Sequence, residues 1–172
     1  MRRSLIHAIL ISTVIPAGAC HVLGVPAPDA KVVNTIAAAL RISLDARDCG
    51  PAGPLPEQAP GRPPYRLCSS AGRGWRATHI IDADGREIAL RFLGQQIRRD
   101  SAGRTVIDSV RSALQQDLGP GLLCEAFRSR WTMTDDVVVL DWEPTSDVVR
   151  GPLADWGRVR VSVGMHPTEA GC

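Results

Sequence analysis

Apolar residues recur along this chain with two different periods, and the alternation between them predicts its elements. Val32, Val33, Ile36, Leu40 and Leu44 fall at three- and four-residue steps, the spacing of one apolar helix face. A helix over 30–46 follows, with Asp29 as its N-cap. A second stripe, Val106, Ile107, Val110, Ala113, Leu114 and Leu118, begins at the capping-box-like pair Thr105 and Asp108 and stops at Gly119-Pro120.

Elsewhere the period is two. Residues 75–93 predict a hairpin turning at Ala83-Asp84-Gly85. That register opposes Asp82 to Arg86, Ile80 to Ile88 and Thr78 to Leu90, so Ile80, Ile88, Leu90 and Phe92 share the core face. His79 then falls on the opposite face, with Glu87 and Arg91. A second hairpin, over 123–142, turns at Asp135-Asp136, with Thr134 opposite Val137, Met133 opposite Val138, Trp131 opposite Leu140 and Arg130 opposite Asp141. A last strand over 158–166 points Val159, Val161, Val163 and Met165 inward and Arg158, Arg160 and His166 outward. The order α-ββ-α-ββ-β implies an α+β domain, an antiparallel sheet of about five strands with two amphipathic helices packed on one face.

Between Cys49 and Cys68 stand Pro51, Pro54, Pro56, Pro60, Pro63 and Pro64. Such a run excludes helix and central strand, so 50–74 is expected to be a loop. Its stiff prolines make Pro56 and Pro60 candidate partner contacts. Cys68 and Trp75 share the seven-residue spacing of Cys124 and Trp131, which raises a degenerate duplication, while the unequal loops speak against it.

The first twenty residues set the compartment. Arg2 and Arg3 precede an apolar run over 5–15, and small residues lead to Cys20, the order of a secretory signal. The run is shorter than the roughly 20 residues of a membrane span, so residues 1–19 are expected to be removed, with 20–28 as a tether and 29–172 as one domain. Ala17-Gly18-Ala19-Cys20 resembles the lipobox of bacterial lipoproteins. The resemblance implies acylation of Cys20, and His21 behind it favours the outer membrane, facing the periplasm. Ala17 stands where that family carries Leu, Val or Ile, so cleavage to a soluble periplasmic or secreted protein is the alternative.

Five cysteines become four if Cys20 carries lipid, an even number suited to an oxidising compartment. The pairings expected are Cys49 with Cys68 and Cys124 with Cys172. Wide spacings and four histidines oppose a zinc site, and no metal or other cofactor is expected.

The chain carries 20 Lys and Arg against 18 Asp and Glu. Removing Arg2 and Arg3 balances the domain, which argues against a nucleic-acid partner. Nineteen of the basic residues are Arg.

Chemical motifs are absent: there is no G-x-S-x-G elbow, H-E-x-x-H or phosphate-binding glycine loop. Asp135 and Asp136 are expected to be solvated turn formers. Trp75, Trp131, Trp142 and Trp156 stand out in a chain with one Tyr and two Phe. Trp156 is the candidate exposed anchor for a partner. The expectation is a non-catalytic, membrane-tethered lipoprotein that binds another envelope protein, as an inhibitor, immunity factor or assembly accessory. The alternatives are a small periplasmic hydrolase using His79 or His166, and a structural protein associated with peptidoglycan.

Overall fold

The computed structural model describes residues 27–45, 47–53, 64–72, 74–134, 136–145 and 155–164. They form two helices, α1 (Ala30–Ala39) and α2 (Ser101–Leu118), and eight strands. The strands are β1 (Asp48–Cys49), β2 (Arg66–Gly72), β3 (Trp75–Ile81), β4 (Glu87–Arg98), β5 (Leu122–Glu125), β6 (Arg128–Thr132), β7 (Val137–Pro144) and β8 (Trp156–Val163). All are paired antiparallel in one sheet of order β1-β2-β3-β4-β8-β7-β6-β5. The expected sheet of about five strands is therefore corrected to eight.

The three additional strands escaped for separate reasons. β2 lies inside the expected loop, and its sequence has no β-branched residue and turns Cys68 and Ser70 inward, so it lacks the apolar alternation of a strand. β1 is two residues long. β5 and β6 were expected as one strand, but Ala126 and Phe127 form a turn between them.

Order and chain direction show a repeat. Each half is a helix followed by four strands, and the order from β1 to β4 is mirrored from β5 to β8 about the β4–β8 pairing. One row across the sheet reads Ser70, Ala77, Phe92, Val161, Leu140, Ser129, with a buried serine at each end. The Cys68/Trp75 and Cys124/Trp131 spacing does not mark this repeat. Cys68 and Trp75 occupy the second and third strands of their half, Cys124 and Trp131 the first and second.

Both helices lie on one face. Val32, Val33, Ile36, Ala37 and Leu40 of α1 and its exit, and Ile107 and Leu114 of α2, join Leu90, Phe92, Val138, Leu140, Val159, Val161 and Val163 in a single core. Asp29 caps α1 as expected, accepting from the Lys31 amide at 2.7 Å. The helix stops at Ala39 rather than near 46, because Arg41 turns to φ 57° and the Ile42 amide closes back on the Ala37 carbonyl.

α2 begins four residues earlier than Thr105. Asp100 caps it through the Gly103 amide at 3.0 Å, and Thr105 instead donates its hydroxyl to the Ser101 carbonyl. Gly103 is required there, since a Cβ would stand 1.8 Å from the Arg98 carbonyl oxygen. The Arg99 guanidinium lies over the rings of Phe127 and Trp142, at 5.7 and 5.3 Å from their centroids, tying the link between the halves to the second half.

Among the described residues there is one disulfide, Cys49–Cys68, instead of the two expected. It closes β1 onto β2 as direct register partners. Cys124 is not a free thiol, and Cys172, its expected partner, lies outside the described residues. No helix among the described residues is long and apolar enough to cross a membrane.

Leu114 is fully buried where α2 meets the sheet. Leu114→Ala should lower the unfolding free energy by roughly 2–5 kcal/mol through lost transfer energy and the cavity left behind. Urea titration checks this, and an unchanged midpoint would contradict the packing.

Candidate functional site

The first hairpin holds the densest polar chemistry, and a single extra residue places it. Asp82 pairs with Arg86 as expected, and Ile81 with Glu87, but the register then shifts at Ile88, so that Ile80 faces Ala89 and His79 faces Leu90. One bulged residue reverses which face every earlier side chain takes. His79 therefore points into the core rather than away from it, and it is completely buried.

Buried there, the imidazole is satisfied from both ends. Nε2 lies 3.3 Å from the Ser70 hydroxyl on β2, and Nδ1 lies 3.1 Å from Glu87 Oε2 on β4. The same carboxylate oxygen accepts from Arg47 at 3.0 Å, just ahead of β1. With Nδ1 protonated, His79 donates to Glu87 and accepts from Ser70. Four groups from four segments form one chain.

Burial by itself is the largest influence on the Glu87 carboxyl and would raise its pKa. The hydrogen bond and charge of His79, with those of Arg47, outweigh it and hold the carboxyl below its ordinary value. The arrangement has the connectivity of a nucleophile, base and orienting acid. Its exposure opposes that use: Ser70 is 2% and His79 0% accessible, so an acyl group has no approach to the hydroxyl. The repeat supplies a parallel, because Ser129, at the other end of the same row, is also buried and accepts from Arg111 Nε at 2.6 Å. Both serines fit polar groups that the sheet buries and must satisfy.

A second concavity, of about 220 Å3, opens between the start of α1, the end of α2 and the β6–β7 turn, with Asp29, Val32, Asp117, Met133 and Asp136 in its lining. Its acids have structural duties: Asp29 caps α1, and Asp136 accepts from the Asp29 amide at 2.6 Å. Among the described residues no cluster of His, Cys, Asp or Glu has the geometry to hold a metal ion. Asp136 is buried, not the solvated turn former expected of it, and Asp135 lies outside the described residues.

The remaining expected sites separate. Cys49 and Cys68 are joined, and Cys124 is in β5. Trp156 opens β8, half-buried on the face away from the helices. Cys20, Pro56, Pro60, His166 and Cys172 lie outside the described residues. Sequence reasoning set Glu87 beside His79, but on the outer face, and missed Ser70 and Arg47; the bulge that brings the group together carries no Gly or Pro to announce it.

The second hairpin turns between Met133 and Asp136, and Trp131 faces Val138 instead of Leu140. That shift of two residues keeps every expected face. Arg130 and Asp141 stay on the outer side but are not partners; Asp141 and Glu143 hold Arg160, at 2.7 to 3.2 Å. No family model matches this chain, and no curated protein or solved structure is similar to it.

Because the folded Glu87 carboxyl is lowered, its contribution to stability is complete above the unfolded pKa of about 4.3 and is lost as pH falls through the folded value. Thermal melts over roughly pH 3–6 should therefore show an acid-side loss of stability that Glu87→Gln flattens. An identical pH profile in the variant would show that this carboxylate is not coupled to folding.

Proposed function

We propose that this protein is a non-catalytic, lipid-tethered envelope protein that binds another envelope protein, in the manner of an inhibitor, immunity factor or assembly accessory. One observation carries the reading: an eight-stranded sheet has both helices on one face, while its other face mixes polar and apolar side chains, with a small second cluster of Ile80 and Ala89 against Tyr65 at one end. A broad sheet face with mixed polar and apolar side chains suits recognition more than chemistry. The signal-like leader and Cys20 supply the address and the anchor.

A hydrolase remains the second reading, and the Ser70–His79–Glu87 contact is what favours it. The burial of the serine weighs against it.

Extraction of the native protein in mild detergent separates the two. The binding reading predicts a stoichiometric heterocomplex by light scattering, an acylated Cys20 by intact mass, and no labelling of Ser70 by a serine-reactive phosphonate. A protein that is monomeric and unacylated, labelled at Ser70 and unlabelled after Ser70→Ala, would establish the hydrolase instead.

A further inference from the structure

The disulfide and the buried histidine are neighbours in the sheet. One row of register partners crosses β1, β2 and β3 as Cys49, Cys68 and His79. Directly opposed side chains share a face, with Cβ atoms about 4.5–5.5 Å apart. Cys68 therefore has as its cross-strand neighbour the imidazole that joins Ser70 to Glu87.

The two bonded cysteines differ in access and in surroundings. Cys49 is exposed on β1, the edge strand, whereas Cys68 is completely buried. Burial among apolar groups would make Cys68 a poor leaving thiolate, because it raises a thiol's pKa. Among the described residues, however, Cys68 belongs to neither buried apolar cluster, and it flanks the polar chain of Ser70, His79, Glu87 and Arg47. An imidazole that can carry a proton beside a sulfur favours the thiolate there and speeds its departure.

The disulfide is also not alone in keeping β1 on β2. The Gly50 amide donates to the Leu67 carbonyl at 3.0 Å, Gly53 and Tyr65 exchange backbone hydrogen bonds at 2.8 and 2.9 Å, and Arg47 holds Glu87 at 3.0 Å. The S–S bond can open while the edge stays paired, which leaves Cys68 in position to close it again.

We propose that Cys49–Cys68 is a thiol-acceptor site, at which an incoming thiolate attacks Cys49 and Cys68 departs beside His79. In this exchange a bond forms between Cys49 Sγ and the incoming sulfur, and the bond between Cys49 and Cys68 breaks. The electron pair of the broken bond goes to Cys68 Sγ, and the proton given up by the thiol ends on the Cys68–His79 pair. The incoming thiol is oxidised to a mixed disulfide as Cys68 is reduced, so no further reagent is needed. The inference goes beyond the protein-binding reading and does not depend on it. The ligand class is a thiol, from a small molecule or from a protein cysteine.

The test incubates the full-length, folded protein with reduced glutathione, quenches with acid, alkylates free thiols and maps the peptides by mass. The expected first product carries glutathione on Cys49 and the alkyl group on Cys68. His79→Gln should slow its formation at least about tenfold. Fully reduced wild type should also show thiolate ultraviolet absorbance at neutral pH that Cys68→Ser abolishes, a signature that does not require the histidine variant to fold. The source of the thiol is read from Cys68→Ser expressed in the native envelope, where no Cys68 can reverse the adduct. A small added mass on Cys49 identifies a low-molecular-weight thiol, and a crosslinked cysteine peptide from another chain identifies a protein.

Glutathione first on Cys68, or a disulfide that reacts only after denaturant is added, would overturn the proposal and leave a purely structural staple. A folded His79→Gln protein that exchanges at the wild-type rate, or a free Cys49 thiol in the envelope-expressed variant, would overturn it as well.

Discussion

The ladder between β4 and β8 joins two four-stranded halves that would otherwise be separate sheets. Its partners alternate Leu90 with Val163 and Phe92 with Val161 on the helix side, and all four are completely buried. Without this seam each half would expose a long apolar strand edge, a pairing hazard. With it, the free edges fall at β1 and β5, which are two and four residues long, and β1 is stapled by a disulfide. Leu122 and Leu123 still leave β5 60% and 57% accessible at those positions.

The same seam determines what the two faces do. Antiparallel strands with one covered face show a clean alternation, and here β8 and β7 follow it closely. Because both helices pack on one side, inward positions must be apolar or polar groups with partners. His79, Ser70 and Ser129 are of the second kind. The outward positions carry arginines, and at one end of the sheet Ile80 and Ala89 form a small second cluster with Tyr65.

Periodicity in the sequence was legible wherever one rule acted alone. Val159, Val161 and Val163 alternate, and their inward placement followed directly; the stripe of α2 gave Ile107 and Leu114. The cap at Asp29 was equally plain, while Thr105 was mistaken for one because Asp100 stands behind a polar run. The failures share a physical cause, which is that register is a property of two strands. The two-residue slip at the second hairpin is harmless to facing, whereas the one-residue bulge at Ile88 moved His79 from the surface to the core. Neither leaves a local signature. β2 was hidden because its inward side chains are Cys and Ser, stabilised by a disulfide and by His79 rather than by apolar burial. The candidate site was thus legible as a list of residues and not as a constellation.

Residue-resolved hydrogen exchange on the full chain tests the seam most directly. If β4 and β8 are the centre of one cooperative sheet, the ladder amides around Leu90, Phe92, Val161 and Val163 should be the slowest to exchange, opening only with global unfolding. Protection there no greater than at β1 and β5, or two halves that lose protection independently, would contradict a continuous eight-stranded sheet.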